Sequence, residues 1–427
     1  MTVRLIFYVL MCTCWLISGC EQPITVEIPS PQKQQMQISS LTLTQEEVRD
    51  KMLGAIVGST IGDAMGLSTE MWTRGDIQER YGYINGLTPA YMEQSAEGPW
   101  EHNLVAGATT DDTRWKFFIG QYLMQNKGSL SAHNLASFIN NYYDQVIQGL
   151  SDDQHKSSTD LLDAQVEKVN WIKEWARVSK GYEQGDEEYQ LAQGRFYGGE
   201  MSCAGLLYSP MFGLVTSDPF EAYEVAYEHA LFDIGYAKDI TAMASTMTYL
   251  GMYGHDFASI VDSSLIVDPY GYRDSRLIGR LLQASVVDIV QLVEASQKLE
   301  LVDSIKVVIP EGYPGTDLDW LKQEYIYQGL EKRQKAIAFH AGEIWDIAYA
   351  SLLFGEGDFR KTMSFIVNYG RDNDTVGAVV GAILGAYLGY DALPEDLKTE
   401  VVKVSREVIG IDLEELANDL YAQIPQI

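Results

Sequence analysis

The sequence predicts a single large all-helical domain, and three observations predict it. From Gln45 onward, segment after segment carries apolar residues at helical spacing. Strand candidates are few, the best being Ile305–Ile309. No Gly/Ser linker interrupts the body, so residues 46–427 read as one domain. The 427 residues are 46% hydrophobic and 21% charged, a globular composition with material for a sizeable core. The net charge of −29 repels phosphate backbones and anionic lipid surfaces, which argues against nucleic-acid binding through bulk electrostatics. A polyanion can still bind such a chain where a metal cation mediates the contact.

The first 45 residues stand apart from that body. MTVRLIFYVLMCTCWLISGCEQ has one basic residue, Arg4, then an apolar run from Leu5 to Ile17 that is too short to span a bilayer comfortably. The run ends in Leu16-Ile17-Ser18-Gly19-Cys20, which resembles a bacterial lipobox. On that resemblance 1–19 is a signal peptide, and a lipidated Cys20 becomes the mature N-terminus. An uncleaved short anchor and an ordinary signal peptide are the alternatives. The Pro-, Gln- and Ser-rich remainder of 20–45 reads as a flexible tether. The expected location is that of an exported lipoprotein, held to a membrane by its N-terminal lipid alone and facing the periplasm or cell exterior. Cys12, Cys14 and Cys20 lie in the leader and only Cys203 in the body, so no disulfide framework supports the fold.

Along the body, Thr44 with Glu47 forms a capping-box signature that opens QEEVRDKMLGAIVGSTIGDAMG. DTRWKFFIGQYLMQNKG is helical and stops at Gly128. SAHNLASFINNYYDQVIQGL, PFEAYEVAYEHALF, YAKDITAMASTMTYLGMYG, DSRLIGRLLQASVVDIVQLVEASQKLE, AFHAGEIWDIAYASLLFG and DFRKTMSFIVNYG read the same way. Pro310–Gly315 is a loop, and the acidic stretch Gly185–Glu188 is solvated surface.

Two segments share an unusual rhythm. Gly54, Gly58, Gly62 and Gly66 recur every fourth residue, and so do Gly377, Gly381, Gly385 and Gly389. Each glycine inside a helix costs about 1 kcal/mol relative to alanine, so eight of them need a reason. An i, i+4 ladder makes a flat stripe that lets backbones approach closely. The two helices should pack against each other or against a common central neighbour.

Acidic clusters precede two of the helices. Thr109-Thr110-Asp111-Asp112-Thr113 leads into one, and Asp372-Asn373-Asp374-Thr375 into the second glycine helix. N-capping accounts for one residue, or two, at each place. If the clusters meet in space, four carboxylates converge and need a cation to neutralise them. Hard oxygen donors without histidine or cysteine select Mg²⁺ or Mn²⁺, or Ca²⁺, over zinc. The residues alone leave separate caps and a shared metal site equally open.

Gly62-Asp63-Ala64-Met65-Gly66 followed by Glu70, then Thr110-Asp111-Asp112-Thr113, then Asp372-Asn373-Asp374-Thr375 before a small-residue helix, resemble in order the motifs of the ADP-ribosylglycohydrolase family, from about residue 48 to 392. The resemblance implies an orthogonal all-α domain with a central metal cleft and two Mg²⁺ (or Mn²⁺) ions. It implies metal ligation by Thr110, Asp111, Asp112, Asp372, Asp374 and Thr375, with Glu70, Asp111 and Asp374 taking part in catalysis. Asp63 matches a motif aspartate with a structural role. The implied reaction is hydrolysis of an N- or O-glycosidic bond at the anomeric carbon of a small-molecule or protein-linked ADP-ribosyl, or related ribosyl, substrate. Gly370-Arg371 departs from the usual Gly-Gly before the second aspartate, and the segment Gly198 to Gly205 stands in for a glycine-rich turn that binds the nucleotide. Gly198, Gly199 and Ser202 are therefore the candidate substrate-binding residues. The regions 150–200 and 255–330 are long for the family's core. A non-catalytic metal- or nucleotide-binding protein of the same fold is the rival reading; a nucleoside or glycoconjugate hydrolase is the other.

Trp100, Trp115, Tyr197 and Tyr208 are candidate stacking partners for a base, although most aromatic residues are core. His229 reads as a satisfied core or surface histidine, Cys203 as a packed thiol, and Asp317-x-Asp319 as surface.

Overall fold

The computed structural model describes residues 41–91, 105–153, 159–301 and 307–422. The leader with Cys20, and Trp100, lie outside the described residues. The fold is all-α: among the described residues no strand forms, and a single isolated antiparallel bridge joins Ser202 and His340. The strand expected over Ile305–Ile309 does not appear in its described part, Val307–Ile309, which is irregular. Its β-branched residues have no neighbouring strand to pair with, and propensity alone does not make a ladder.

The described helices fall within one unit spanning Gln35–Ile427. α1 (Gln45–Gly66), α2 (Arg74–Tyr81) and α3 (Asp111–Gln125) come first. Then follow α4 (Ala132–Asp153), α5 (Thr159–Gln184), α6 (Asp186–Arg195), α7 (Pro210–Gly213) and α8 (Pro219–His229). α9 (Ala237–Tyr253), α10 (Phe257–Ser264), α11 (Leu281–Gln297) and α12 (Asp317–Glu331) lead into α13 (Ala341–Gly355) and α14 (Phe359–Tyr369). α15 (Asn373–Leu388), α16 (Glu395–Val404) and α17 (Leu413–Tyr421) close the chain. None of the described helices is long and apolar enough to cross a membrane.

The capping box at Thr44 is made in full, with Glu47 accepting from the Thr44 amide at 2.7 Å. Thr316 and Asp319 make a second one, so Asp317-x-Asp319 is the start of α12.

The two glycine helices meet each other directly. A β-carbon added at Gly54, Gly58 or Gly62 would overlap the carbonyl oxygen of Gly385, Gly381 or Gly377 respectively, and the clash is reciprocal. α1 and α15 therefore run antiparallel at backbone contact. Ser59 adds a hydrogen bond across the seam to the Ala378 carbonyl at 2.8 Å. On its other side α15 approaches α9, where a β-carbon at Gly251 would lie 2.7 Å from the Ile383 carbonyl. Every residue of α15 from Asn373 to Ala386 is buried, which is why its sequence is apolar all round. Lys51 of α1 closes the far end by donating to the carbonyls of Ala386 and Tyr387, at 3.1 and 2.6 Å. A cation there suits the negative end of the helix.

Candidate metal centre

The glycine seam explains where α15 begins. Gly66 ends α1 against the backbone of Asp374, and a β-carbon at Gly66 would overlap the Asp374 Cα and amide nitrogen. The first acidic turn of α15 therefore lies against the end of α1, directly after which Leu67–Thr69 makes one 3₁₀ turn and delivers Glu70.

α3 is brought to the same place by Asp63. Its Oδ1 accepts from the Thr110 amide and hydroxyl, at 2.9 and 3.0 Å. Its Oδ2 accepts from the Thr113 amide and hydroxyl, at 2.9 and 2.6 Å. Four donors on one buried carboxylate fix the first turn of α3. Thr110 is the N-cap of that helix, accepting from the Asp112 amide at 3.3 Å. By contrast Asp372, at the N-cap position of α15, makes no side-chain capping bond. Capping thus accounts for Thr110 and leaves the four aspartates to something else.

Those aspartates converge. Glu70, Asp372 and Asp374 offer oxygens within 4.8 Å of one another, and so do Asp111, Asp112 and Asp374. Asp374 belongs to both trios. Burial first, and Asp112 second, push the Asp372 carboxyl up to about 7. The same two causes bring Asp63 to about 6. Asp374 is pushed well above the carboxylate range by burial, then by Glu70, Asp372, Asp112 and Asp63. Carboxylates this crowded hold their charge only beside a cation. Among the described residues no donor reaches Asp374 Oδ1, an atom with no exposed surface. An oxygen-only donor set built round an unsatisfied shared carboxylate fits a hard divalent ion. The cluster can hold metal.

The carboxylates open into a cavity of about 30 Å³ lined also by Tyr197, Cys203 and Phe339. That volume suits an ion with a water or two. Tyr197 and Phe339 pair with ring centroids 5.3 Å apart. Cys203, which the sequence reads as a packed thiol, is buried and also walls the cavity, its Sγ 3.6 Å from Asp372 Oδ2. Burial and the three nearby aspartates push this thiol up, so it acts as a donor and not as a nucleophile.

Comparison with known proteins agrees with this geometry. The family model described as ADP-ribosylglycohydrolase matches residues 44–426. The chain belongs to the ADP-ribosylglycohydrolase family. Among curated proteins it resembles ADP-ribosyl-[dinitrogen reductase] glycohydrolase of Rhodospirillum rubrum, 33% identical over 93 residues, 22% of this chain and 28% of the relative. It also resembles the uncharacterized protein YegU of Escherichia coli K12, 29% identical over 85 residues, 19% of this chain and 23% of that one. The matched stretch is thus about a quarter of each relative's length. A solved structure titled ADP-ribosylglycohydrolase-related protein complex shares the fold, with TM-score 0.53 and 18% identity over 88% of this chain and 99% of its own.

Arg371, the residue before the second acidic turn, has a left-handed backbone. Its φ is +66°, and Met71, next to Glu70, has φ of +62°. The two left-handed residues are tied together. The Met71 amide donates to the Arg371 carbonyl at 2.7 Å, and the Arg371 amide to the Trp72 carbonyl at 2.9 Å. This clamp sets Glu70 beside Asp372. Its cost in backbone strain is about 1 kcal/mol or more per residue. The Arg371 side chain leaves the centre and pairs with Glu343 at 2.6 Å.

Gly198 and Gly199 lie exposed, with φ of +68° and +80°, on the turn that carries Tyr197. They shape the rim, while the cavity itself is walled by Tyr197 on one side of them and Cys203 on the other. Ser202 is buried in the bridge to His340, away from the cavity wall. Trp115 and Tyr208 are fully buried, and Trp115 lies 4.1 Å from Trp175 by ring centroids, so both are core aromatics and not stacking partners. His229 is a satisfied core residue between the Tyr122 hydroxyl at 2.9 Å and the Val225 carbonyl at 2.7 Å. Burial lowers it to about 4, so it stays neutral. Phe339 and Met71 carry no sequence signal, whereas Arg371 is marked only by the glycine that the resemblance leads one to expect there.

Proposed function

We propose that this chain is a metal-dependent hydrolase that cleaves the N- or O-glycosidic bond at the anomeric carbon of an ADP-ribosyl or related ribosyl substrate, using two Mg²⁺ or Mn²⁺ ions. The observation that carries the reading is the pair of carboxylate trios hinged on Asp374, with an unsatisfied oxygen on the shared residue. Glu70, Asp372 and Asp374 would hold one ion, and Asp111, Asp112 and Asp374 the other. The Thr110 and Thr375 hydroxyls would complete the donor set. When bound, such ions orient a ribose diol and lower the pKa of water.

The chain's own residues supply the rest. Glycoside cleavage develops positive charge at the anomeric carbon and ordinarily uses two carboxyl groups. Glu70 stands at the cavity wall with its carboxylate among the acids, placed to move a proton or to stabilise that charge. Tyr197 and Phe339 give the rim an apolar face, which excludes water from one side of a bound ribosyl ring. Asp63 keeps Thr110 in register, and Thr375 donates to Asp112 Oδ2 at 2.9 Å, joining the two acidic turns. The lipobox-like leader further suggests an exported, lipid-anchored protein acting on substrate outside the cytoplasm; a Cys20→Ala chain that still fractionates with membranes would dismiss that anchor.

The test is product release across a panel of ADP-ribosyl and nucleoside substrates. ADP-ribose or ribose should appear with Mg²⁺ or Mn²⁺ and disappear with chelator or in D374A. A folded protein with no turnover on any member would favour the non-catalytic binding reading.

A further inference from the structure

One turn of the body carries apolar residues where water should meet polar ones. Leu277 is 91% exposed and Ile278 68%, and among the described residues no other two adjacent large apolar side chains both face solvent. Leu281, the first residue of α11, is 43% exposed just after them. Single exposed aliphatic residues are common and need no cause, whereas a group of them at one projecting point does. A β-carbon at Gly279 would meet no atom within 4 Å, so the tip stands clear of the body.

The turn is held from both sides. Ser275–Gly279 closes on itself, the Gly279 amide donating to the Ser275 carbonyl at 3.1 Å, with Gly279 left-handed at φ of +72°. Before the turn, Asp268 accepts from the amides of Tyr272 and Arg273, both at 2.9 Å. After it, the buried Arg280 holds Asp239 by two hydrogen bonds, at 2.9 and 2.6 Å. With both legs pinned, Leu277 and Ile278 are presented to solvent by the fold itself.

Charge changes sign here too. The chain as a whole carries −29, yet Tyr270–Leu282 holds three arginines against one aspartate. Arg276, next to the tip, is exposed. A second copy of the chain is a poor occupant. Three aliphatic side chains on a convex turn fall far short of the roughly 800 Å² that each partner buries in a stable protein interface. A bilayer needs no matching surface. It takes an apolar point into its acyl boundary and holds arginine at the phosphates. At the headgroup level it accepts tyrosine, which the half-exposed Tyr270 supplies.

We propose that the Leu277-Ile278 turn is a membrane-contact point, dipping into the interfacial layer of a bilayer with Arg276 among the lipid phosphates. It fixes which face of the body lies against the lipid. Two aliphatic residues are too few to anchor a protein by themselves, so the turn orients a chain that another segment brings to the surface. The inference rests neither on the metal centre nor on lipidation of Cys20.

The test uses the full chain incorporated in vesicles of phosphatidylcholine and phosphatidylglycerol, with tryptophan placed at the tip as L277W. Lipid brominated near the headgroup end of its acyl chains should quench the added emission, measured against the native chain. The same substitution on α6, L191W, at another exposed residue, should add emission that the lipid leaves alone. R276E in the L277W chain should reduce the quenching, and most where phosphatidylglycerol is most abundant. The native chain gives a second reading that needs no variant. Trypsin cleavage after Arg276 should slow on vesicles, whereas cleavage after Lys127, in another exposed turn, should not. No quenching at the tip, equal quenching at both positions, or unchanged cleavage after Arg276 would overturn the contact. If L277S/I278S instead converts a dimer into a monomer without lipid, the turn joins two copies of the chain and the proposal falls.

Discussion

The two acidic turns have similar sequences and opposite methods of support. The turn of α3, Thr110 to Thr113, is held through side chains: it donates four hydrogen bonds to Asp63, and Asp112 makes one ion pair with Lys116. The turn of α15, Asp372 to Thr375, is held by backbone. Gly66 touches its first turn, the glycine seam runs behind it, and the Met71–Arg371 clamp fixes the residue before it. Side-chain support can be weakened one bond at a time. Backbone contact has no spare room, so a change there is felt throughout the helix. The α15 turn supplies the shared Asp374, and it is the half with the more rigid foundation.

The largest test of that contrast is at the seam. G58L or G381L places a side chain where the partner helix's carbonyl sits, and neither backbone can withdraw without moving α15. The expected cost exceeds the whole stability of a typical domain, roughly 5–15 kcal/mol, so no cooperative unfolding transition should be seen by circular dichroism. A G58L chain with an ordinary thermal transition would show that the seam is not at backbone contact.

Next comes Asp63. D63A strands four buried donors on Thr110 and Thr113, each costing about 1 kcal/mol or more when unsatisfied. We expect about 4 kcal/mol of destabilisation by urea denaturation, with the loss of metal uptake concentrated at the Asp111 and Asp112 side. D63N keeps the volume but turns acceptor oxygen into donor, and should recover less than half. Complete loss of metal uptake would mean that α3 and α15 are supported as one unit.

These two cases also divide what a sequence discloses. The glycine ladders and acidic turns were legible because each is a short-range pattern with a physical cost that demands an explanation. Asp63 was legible as structural through its motif. Periodicity leaves the partner of the first ladder between two options, since it shows a flat face and not what covers it. Aromatic roles were the least legible: Trp115, Tyr208 and Tyr197 are equivalent as letters, and only Tyr197 reaches the cavity. Lys116 sits at an ordinary helical position, and its significance comes from being buried beside Asp112.

The smallest effect is expected at Arg371, and it is the sharpest. The position needs a left-handed backbone, which glycine adopts freely and arginine does not. The side chain in turn neutralises Glu343, which is buried. R371A therefore loses the ion pair and keeps the strain, whereas R371G loses the ion pair and is relieved of the strain. Both should be less stable than the native chain, because removal of one partner leaves a buried carboxylate unpaired. The difference between them isolates the backbone term, and R371G should be the more stable by about 1 kcal/mol. Thermal unfolding of the two variants side by side measures it. If they are equal, φ at this residue relaxes in solution and the clamp on Glu70 is not under tension. If R371G is the more stable but binds manganese less tightly, the strained arginine is what presses Glu70 towards Asp372, and the α15 half owes its affinity to a non-glycine residue held in the left-handed region.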